Sequence, residues 1–95
     1  MAAYLVVNVQ VHDAAGYEAY RAAVEATIAA YGVRYLVRGG RVSRLEGQWE
    51  PQRLVIVEFA DVARAKAWWA SAEYAGPKAI RHATARTDMV VVEGL

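Results

Sequence analysis

The sequence has no cysteine, only two histidines and two prolines, and a formal net charge of +1. Each shortage excludes something. Without cysteine there is no disulfide, no thiol chemistry and no Cys-based metal site, which suits a reducing cytoplasm. A charge so near zero gives no strong field toward nucleic acid or membrane. Arg34, Arg38, Arg41, Arg44 and Arg53 do lie close together, but Glu46 and Glu50 sit among them, as on a solvated hairpin. No stretch approaches the roughly 20 apolar residues of a membrane helix, and the opening MAAYLVVNVQV lacks the basic start of a signal peptide. The expectation is a soluble, cytoplasmic protein. Nucleophile-elbow, phosphate-loop and zinc-helix patterns are missing as well. His12 is explained by its place at a strand end before a helix-capping Asp13. His82 follows Arg81 on a helix, where a surface position is favoured over a base or haem ligand.

What is present is apolar. The chain has 95 residues, of which 57% are hydrophobic, against roughly 45–50% in ordinary globular chains. Its length matches one domain over residues 1–95. By area scaling, a chain of this mass buries only about 64% of its unfolded surface, so part of the apolar material is expected to meet a partner.

Periodicity places the elements. Tyr4 to His12 alternates as a strand, with Leu5, Val7, Val9 and Val11 on one face. Asp13 caps a helix from Ala14 to Tyr31, with Tyr17, Tyr20, Val24, Ile28 and Tyr31 in one stripe. Gly32 is read as a helix-ending glycine at positive φ. A second strand, Arg34 to Arg38, is expected to resume from Arg41 to Leu45 after a bulge at Gly39-Gly40. Residues 46–51 form a turn, and Arg53 to Phe59 a third strand. Asp61 caps a helix through Ala70 with a stripe of Val62, Ala65 and Trp69. An irregular turn or a short helical turn over 71–76 leads to a helical piece from Pro77 to about Thr84. Asp88 to Glu93 is the last strand.

This β-α-β-β-α-β order predicts an α+β, ferredoxin-like domain: a four-stranded antiparallel sheet, both helices on one face, and strand order 4-1-3-2. The last strand is then an edge, yet Met89 to Val92 is apolar on both faces. A bare apolar edge invites pairing, so a homodimer is expected.

Several landmarks coincide: Tyr17 and Tyr20 after Asp13, YLVRGG at 35–40, LEGQWEPQRLVIVEF at 45–59, Trp68-Trp69, SAEY at 71–74, Arg81, and VEG at 92–94. Together they resemble domain-of-unknown-function family 1330 of the dimeric α/β barrel superfamily. The resemblance spans almost the whole chain, with Ala72 departing from a proline common in the family. It implies two sheets packed face to face across a two-fold axis. It implies no particular reaction, since the superfamily includes cofactor-free monooxygenases, isomerases and degradative enzymes.

The candidate chemistry lies in polar residues within strands. Asn8 and Gln10 are on the first strand and Glu58 on the third, read here as parallel neighbours. A buried carboxylate needs a partner, and Arg38 is the expected one. Asn8, Arg38 and Glu58 are therefore expected to cluster. The cluster is either a ligand pocket with Glu58 as a base, or an ion pair that sets dimer register. Trp49, Trp69 and Tyr74 could form an aromatic wall for a small organic ligand. Trp68 and Trp69 diverge by about 100° on a helix, so only one can face the core. Two functions follow: a dimer that binds or transforms a small organic molecule with no metal or cofactor, or a structural or regulatory dimer without chemistry. RNA binding is not expected, because Leu54, Ile56 and Leu5 stand where stacking aromatics would be needed.

Overall fold

A computed structural model describes residues 1–95. The chain runs β1 (Ala3–Val11), α1 (Ala14–Tyr31), β2 (Arg34–Arg38), β3 (Leu54–Phe59), α2 (Val62–Trp69), α3 (Ala72–Thr84) and β4 (Ala85–Glu93). The strands form one sheet in the order β2-β3-β1-β4, as the element order predicts. All three neighbouring pairs are antiparallel. β1 and β3 are adjacent, but the expected parallel pairing is corrected: the β2–β3 connection reverses the chain, so β3 runs against both β2 and β1.

Alternation decides the two faces of the sheet. Ala3, Leu5, Val7 and Val9 of β1 are buried beside Val57 and Phe59 of β3, under the helices. The second face carries Tyr4, Val6, Asn8, Leu54, Ile56, Val90 and Val92, matched across the strands by register. No element covers it, and Val90 and Val92 remain 60% and 51% exposed. The Cα extents of 36 × 33 × 16 Å are those of one helix layer on one sheet.

Each helix begins at a side-chain cap. Asp13 Oδ1 accepts from Gly16 N at 3.1 Å, Asp61 Oδ1 from Arg64 N at 2.7 Å, and Ser71 Oγ from Tyr74 N at 3.1 Å. Of the two expectations for 71–76, the third cap selects the helical one, continuous with the piece expected from Pro77. Helix α3 starts at Ala72 and carries Pro77 inside it. The missing proline N–H is outweighed by the Ser71 cap and by full burial of Tyr74. In α2 the buried stripe is Ala65 and Trp68 rather than Trp69, and the Trp68 indole N–H donates to Thr27 Oγ1 at 2.9 Å.

Two glycine expectations change. Gly32 has φ −87°, not a positive value; a Cβ there would lie 3.0 Å from Ile28 O, so the position needs room rather than left-handed backbone. Gly39 does take positive φ, at 77°. There the chain leaves the sheet, and the strand expected over 41–45 is absent. Residues 40–50 are exposed and pair with no strand.

Candidate functional site

Helix α1 packs along α3 and stands off from the sheet. The gap is a cavity of about 50 Å³. Its floor is the helix-side face of the sheet, including Leu5, Val7 and Val57, and its roof is Tyr17, Tyr20 and Val24 of α1. Trp68 closes one side. Of the sixteen lining residues, the only charged ones are four arginines, Arg21, Arg38, Arg53 and Arg81.

Each arginine arrives for a local reason. Arg21 follows the apolar stripe of α1 by one position and pairs with Glu18 at 3.0 Å. Arg38 reaches the cavity because β2 has a bulge between Tyr35 and Val37. Strict alternation from Arg34 would have put Arg38 on the helix-free face; one extra residue moves it to the other. It pairs there with Glu25 of α1 and lies over the Tyr35 ring, 4.4 Å from the centroid. Arg53 precedes β3, and its guanidinium lies so close to Gly39 that a Cβ would approach Arg53 Cζ to 2.7 Å. Its Nε is buried without a hydrogen-bond partner.

Arg81 is the most enclosed, at 4% exposure. Ser71 sets the phase of α3, so Tyr74 and Arg81, two turns apart, share its inner face. Arg81 Nε donates to the Tyr74 hydroxyl at 3.1 Å, and Nη2 lies 3.3 Å from His82 Nε2. The Tyr74 hydroxyl also bonds that of Tyr20 at 3.0 Å. No carboxylate pairs with Arg81 or Arg53; the ion pairs are Arg21–Glu18, Arg34–Glu58, Arg38–Glu25 and Arg44–Glu50. A guanidinium cannot shed its proton, so Arg81 is a permanent buried charge with no carboxylate beside it.

The surrounding phenols stay protonated. Burial pushes the Tyr20 hydroxyl far up, and the neighbouring Tyr74 adds to this. Burial also raises Tyr17 and Tyr35; Arg53 opposes the shift at Tyr17, and Arg38 opposes it at Tyr35. The aromatic rings form a chain behind the cavity, with Phe59–Trp68 centroids 5.8 Å apart, Trp68–Tyr74 4.0 Å and Tyr20–Tyr74 6.4 Å.

The expected polar cluster does not assemble. Glu58 lies opposite Tyr4, and Asn8 opposite Leu54, so the two are four residues apart along the sheet, about 13 Å at the usual rise. Both face away from the helices. Glu58 Oε1 accepts from Arg34 Nε at 2.8 Å, which corrects the expected Arg38 partner. Asn8 Oδ1 accepts from Gln52 N at 3.0 Å and ties down the chain before β3.

The expected aromatic wall is dispersed too. Tyr74 stands behind the cavity, Trp49 is 62% exposed in the 39–53 connection, and Trp69 is 47% exposed. Trp69 carries Lys78 Nζ 3.8 Å from its ring centroid. It borders a groove of about 280 Å³ between α2 and β4. That groove is larger than the cavity, but Lys66 is its only charged neighbour, so polar groups do not converge on it. His12 and His82 are exposed, and no three His, Asp or Glu side chains gather as metal ligands. Sequence reasoning missed Tyr17, Tyr20, Arg53 and Arg81 as a group; their signal was four polar-tipped side chains on otherwise apolar inner faces.

A four-stranded antiparallel sheet with helices on one face and a cavity between the layers is a ferredoxin-like α+β protein. Within that class the chain belongs to the family described as domain of unknown function, DUF1330, whose model matches residues 2–95. No curated protein matches the sequence significantly. Solved structures share the fold. A protein of unknown function from Rhodopseudomonas palustris has a TM-score of 0.80 at 16% identity, covering 99% of this chain and 82% of its own. SnoaB, a cofactor-independent oxygenase from Streptomyces nogalater, has 0.69 at 15% identity, over 99% and 93%. A dimeric ferredoxin-like protein of unknown function from Jannaschia sp. CCS1 has 0.70 at 15% identity, over 99% and 100%.

Proposed function

We propose that this single-domain chain acts as a homodimer that binds, and in a suitable substrate transforms, a small organic molecule in the cavity between α1 and the sheet. The observation that carries the reading is the cavity itself: a half-open, largely apolar space whose charged lining is entirely arginine, backed by a hydrogen-bonded tyrosine pair. Ligand sites combine apolar walls with a few convergent polar groups in this way. Of the residues singled out in the sequence, Arg38 lines this cavity and Tyr74 positions Arg81. Asn8 and Glu58 then serve the opposite face of the sheet. The likeness to a cofactor-independent oxygenase fold supports small-molecule chemistry carried by protein side chains.

A second copy is the occupant assigned to the helix-free face. That face presents Val6, Leu54, Ile56, Val90 and Val92. The chain exposes 6019 Å², more than the roughly 5,400 Å² that scaling gives a compact monomer of this mass. The Arg34–Glu58 pair lies on the same face, where it would set the register of two packed sheets. Dimerisation of the Jannaschia protein, which has the same fold, agrees with this assignment.

Native mass spectrometry tests both parts. The expected species has twice the 10.4 kDa chain mass and gains one ligand per protomer when a binding small molecule is added. A monomer at micromolar concentration overturns the dimer. A dimer that takes up no small molecule across a chemically broad set overturns the binding role and leaves a structural dimer.

A further inference from the structure

Resting on that cavity as a binding site, we propose that its ligand is a small organic anion, an oxyanion on a short apolar carbon frame, with Arg81 and Arg53 as its counter-charges.

The charge balance leads there. Four arginines line the cavity. Glu18 and Glu25 neutralise Arg21 and Arg38 at its rim, which leaves the charges of Arg81 and Arg53 without a carboxylate. An enclosed cation held only by neutral dipoles is unfavourable unless an anion joins it. Arg81 is 4% exposed, and the buried Nε of Arg53 has no acceptor. Both side chains border the same small space. A planar guanidinium matches an oxyanion with parallel donors, and Tyr74 holds Arg81 by Nε, which fixes its plane.

The rest of the lining defines what carries the charge. The other twelve lining residues are hydrophobic, so a bare inorganic ion would leave most of the wall unused. A cavity of 50 Å³ has room for about four waters at roughly 12 Å³ each. That is the space of a carboxylate or enolate with a two- or three-carbon stem.

Propanoate, its neutral counterpart propanamide, and inorganic phosphate separate the possibilities. Each is titrated at constant ionic strength, following the arginine Nε–H and tryptophan indole N–H signals by NMR. Propanoate is expected to shift the Arg81 Nε–H and Trp68 indole signals and to bind at least tenfold more tightly than propanamide. Arg53→Gln should weaken propanoate at least tenfold, while Arg44→Gln, in the exposed connection, leaves it unchanged. Arg53 is half-buried at the cavity edge, so its variant keeps the test available even if Arg81→Gln does not fold. Equal binding of propanoate and propanamide would overturn the anion and leave the cavity standing. Phosphate binding more tightly than propanoate would overturn the carbon frame. If no probe moves a cavity signal, both this inference and the cavity reading fall.

Discussion

Replacing Tyr74 with phenylalanine should destabilise the protein far more than the same change at Tyr20, although the two hydroxyls bond each other. The difference follows from what each hydroxyl serves. Tyr74 is fully buried, and its oxygen meets both the Tyr20 hydroxyl and Arg81 Nε. Tyr20 meets only Tyr74. In Tyr20→Phe the Tyr74 hydroxyl keeps Arg81 as donor, so about 1 kcal/mol is lost, the usual net value of one hydrogen bond. In Tyr74→Phe the guanidinium loses an acceptor, worth about 1.5–3 kcal/mol, and the Tyr20 hydroxyl is orphaned for a further 1–3. The sum, about 2.5–6 kcal/mol, is a large part of the roughly 5–15 kcal/mol that holds a domain of this size together. Urea unfolding followed by far-ultraviolet circular dichroism gives both values, provided the slopes with denaturant stay equal. Equal losses, or a larger loss at Tyr20, would refute Tyr74 as the residue that holds Arg81.

Three further outcomes are expected. Gly39→Ala should cost about 1–2 kcal/mol from its left-handed backbone and also displace Arg53, weakening propanoate; Gly47→Ala, at φ 86° with nothing within 4 Å, should bring only the backbone strain, and calorimetry with propanoate titration separates the two. Val90→Lys puts a charge on the exposed apolar sheet face and should weaken dimerisation by about 2 kcal/mol, near thirtyfold in Kd, with the monomer still folded by circular dichroism; an unchanged sedimentation profile would contradict the assigned interface. Because burial raises the folded-state pKa of Tyr17 and Tyr20 above their ordinary value, the native state holds protons that the unfolded chain has lost. Their contribution is therefore fully present below about pH 10 and falls as pH rises, by up to about 1.4 kcal/mol per pH unit per group. Absorbance at 295 nm should show late tyrosinate signal appearing together with unfolding; complete ionisation of all six tyrosines in the folded state would contradict it.

The fold was legible because alternation and caps agree with topology. Leu5, Val7 and Val9 alternate with Val6 and Asn8, and Asp13 and Asp61 stand where helices begin, so order and layering follow. The site was harder to see because it depends on phase. One bulged residue in β2 carries Arg38 to the helix side and leaves Glu58 to Arg34. In α2, Trp68 rather than its neighbour faces inward, and no local pattern distinguishes two adjacent tryptophans. Pro77 marked a helix start and so hid the earlier cap at Ser71; with α3 begun at Ala72, Tyr74 and Arg81 fall on one face and Arg81 enters the site. Antiparallel β1–β3 pairing follows from the fold itself and would have separated Asn8 from Glu58 at once.

The central claim is that small molecules enter the space between α1 and the sheet, and the three tryptophans test it directly. Trp68 borders the cavity, Trp69 the groove beside β4, and Trp49 the exposed connection. In a spectrum of the labelled indoles, each of these places has its own signal. Titrating small organic acids should move the Trp68 signal saturably while Trp69 and Trp49 stay fixed. Saturable movement of Trp69 or Trp49 with Trp68 unchanged would place binding elsewhere and contradict the account.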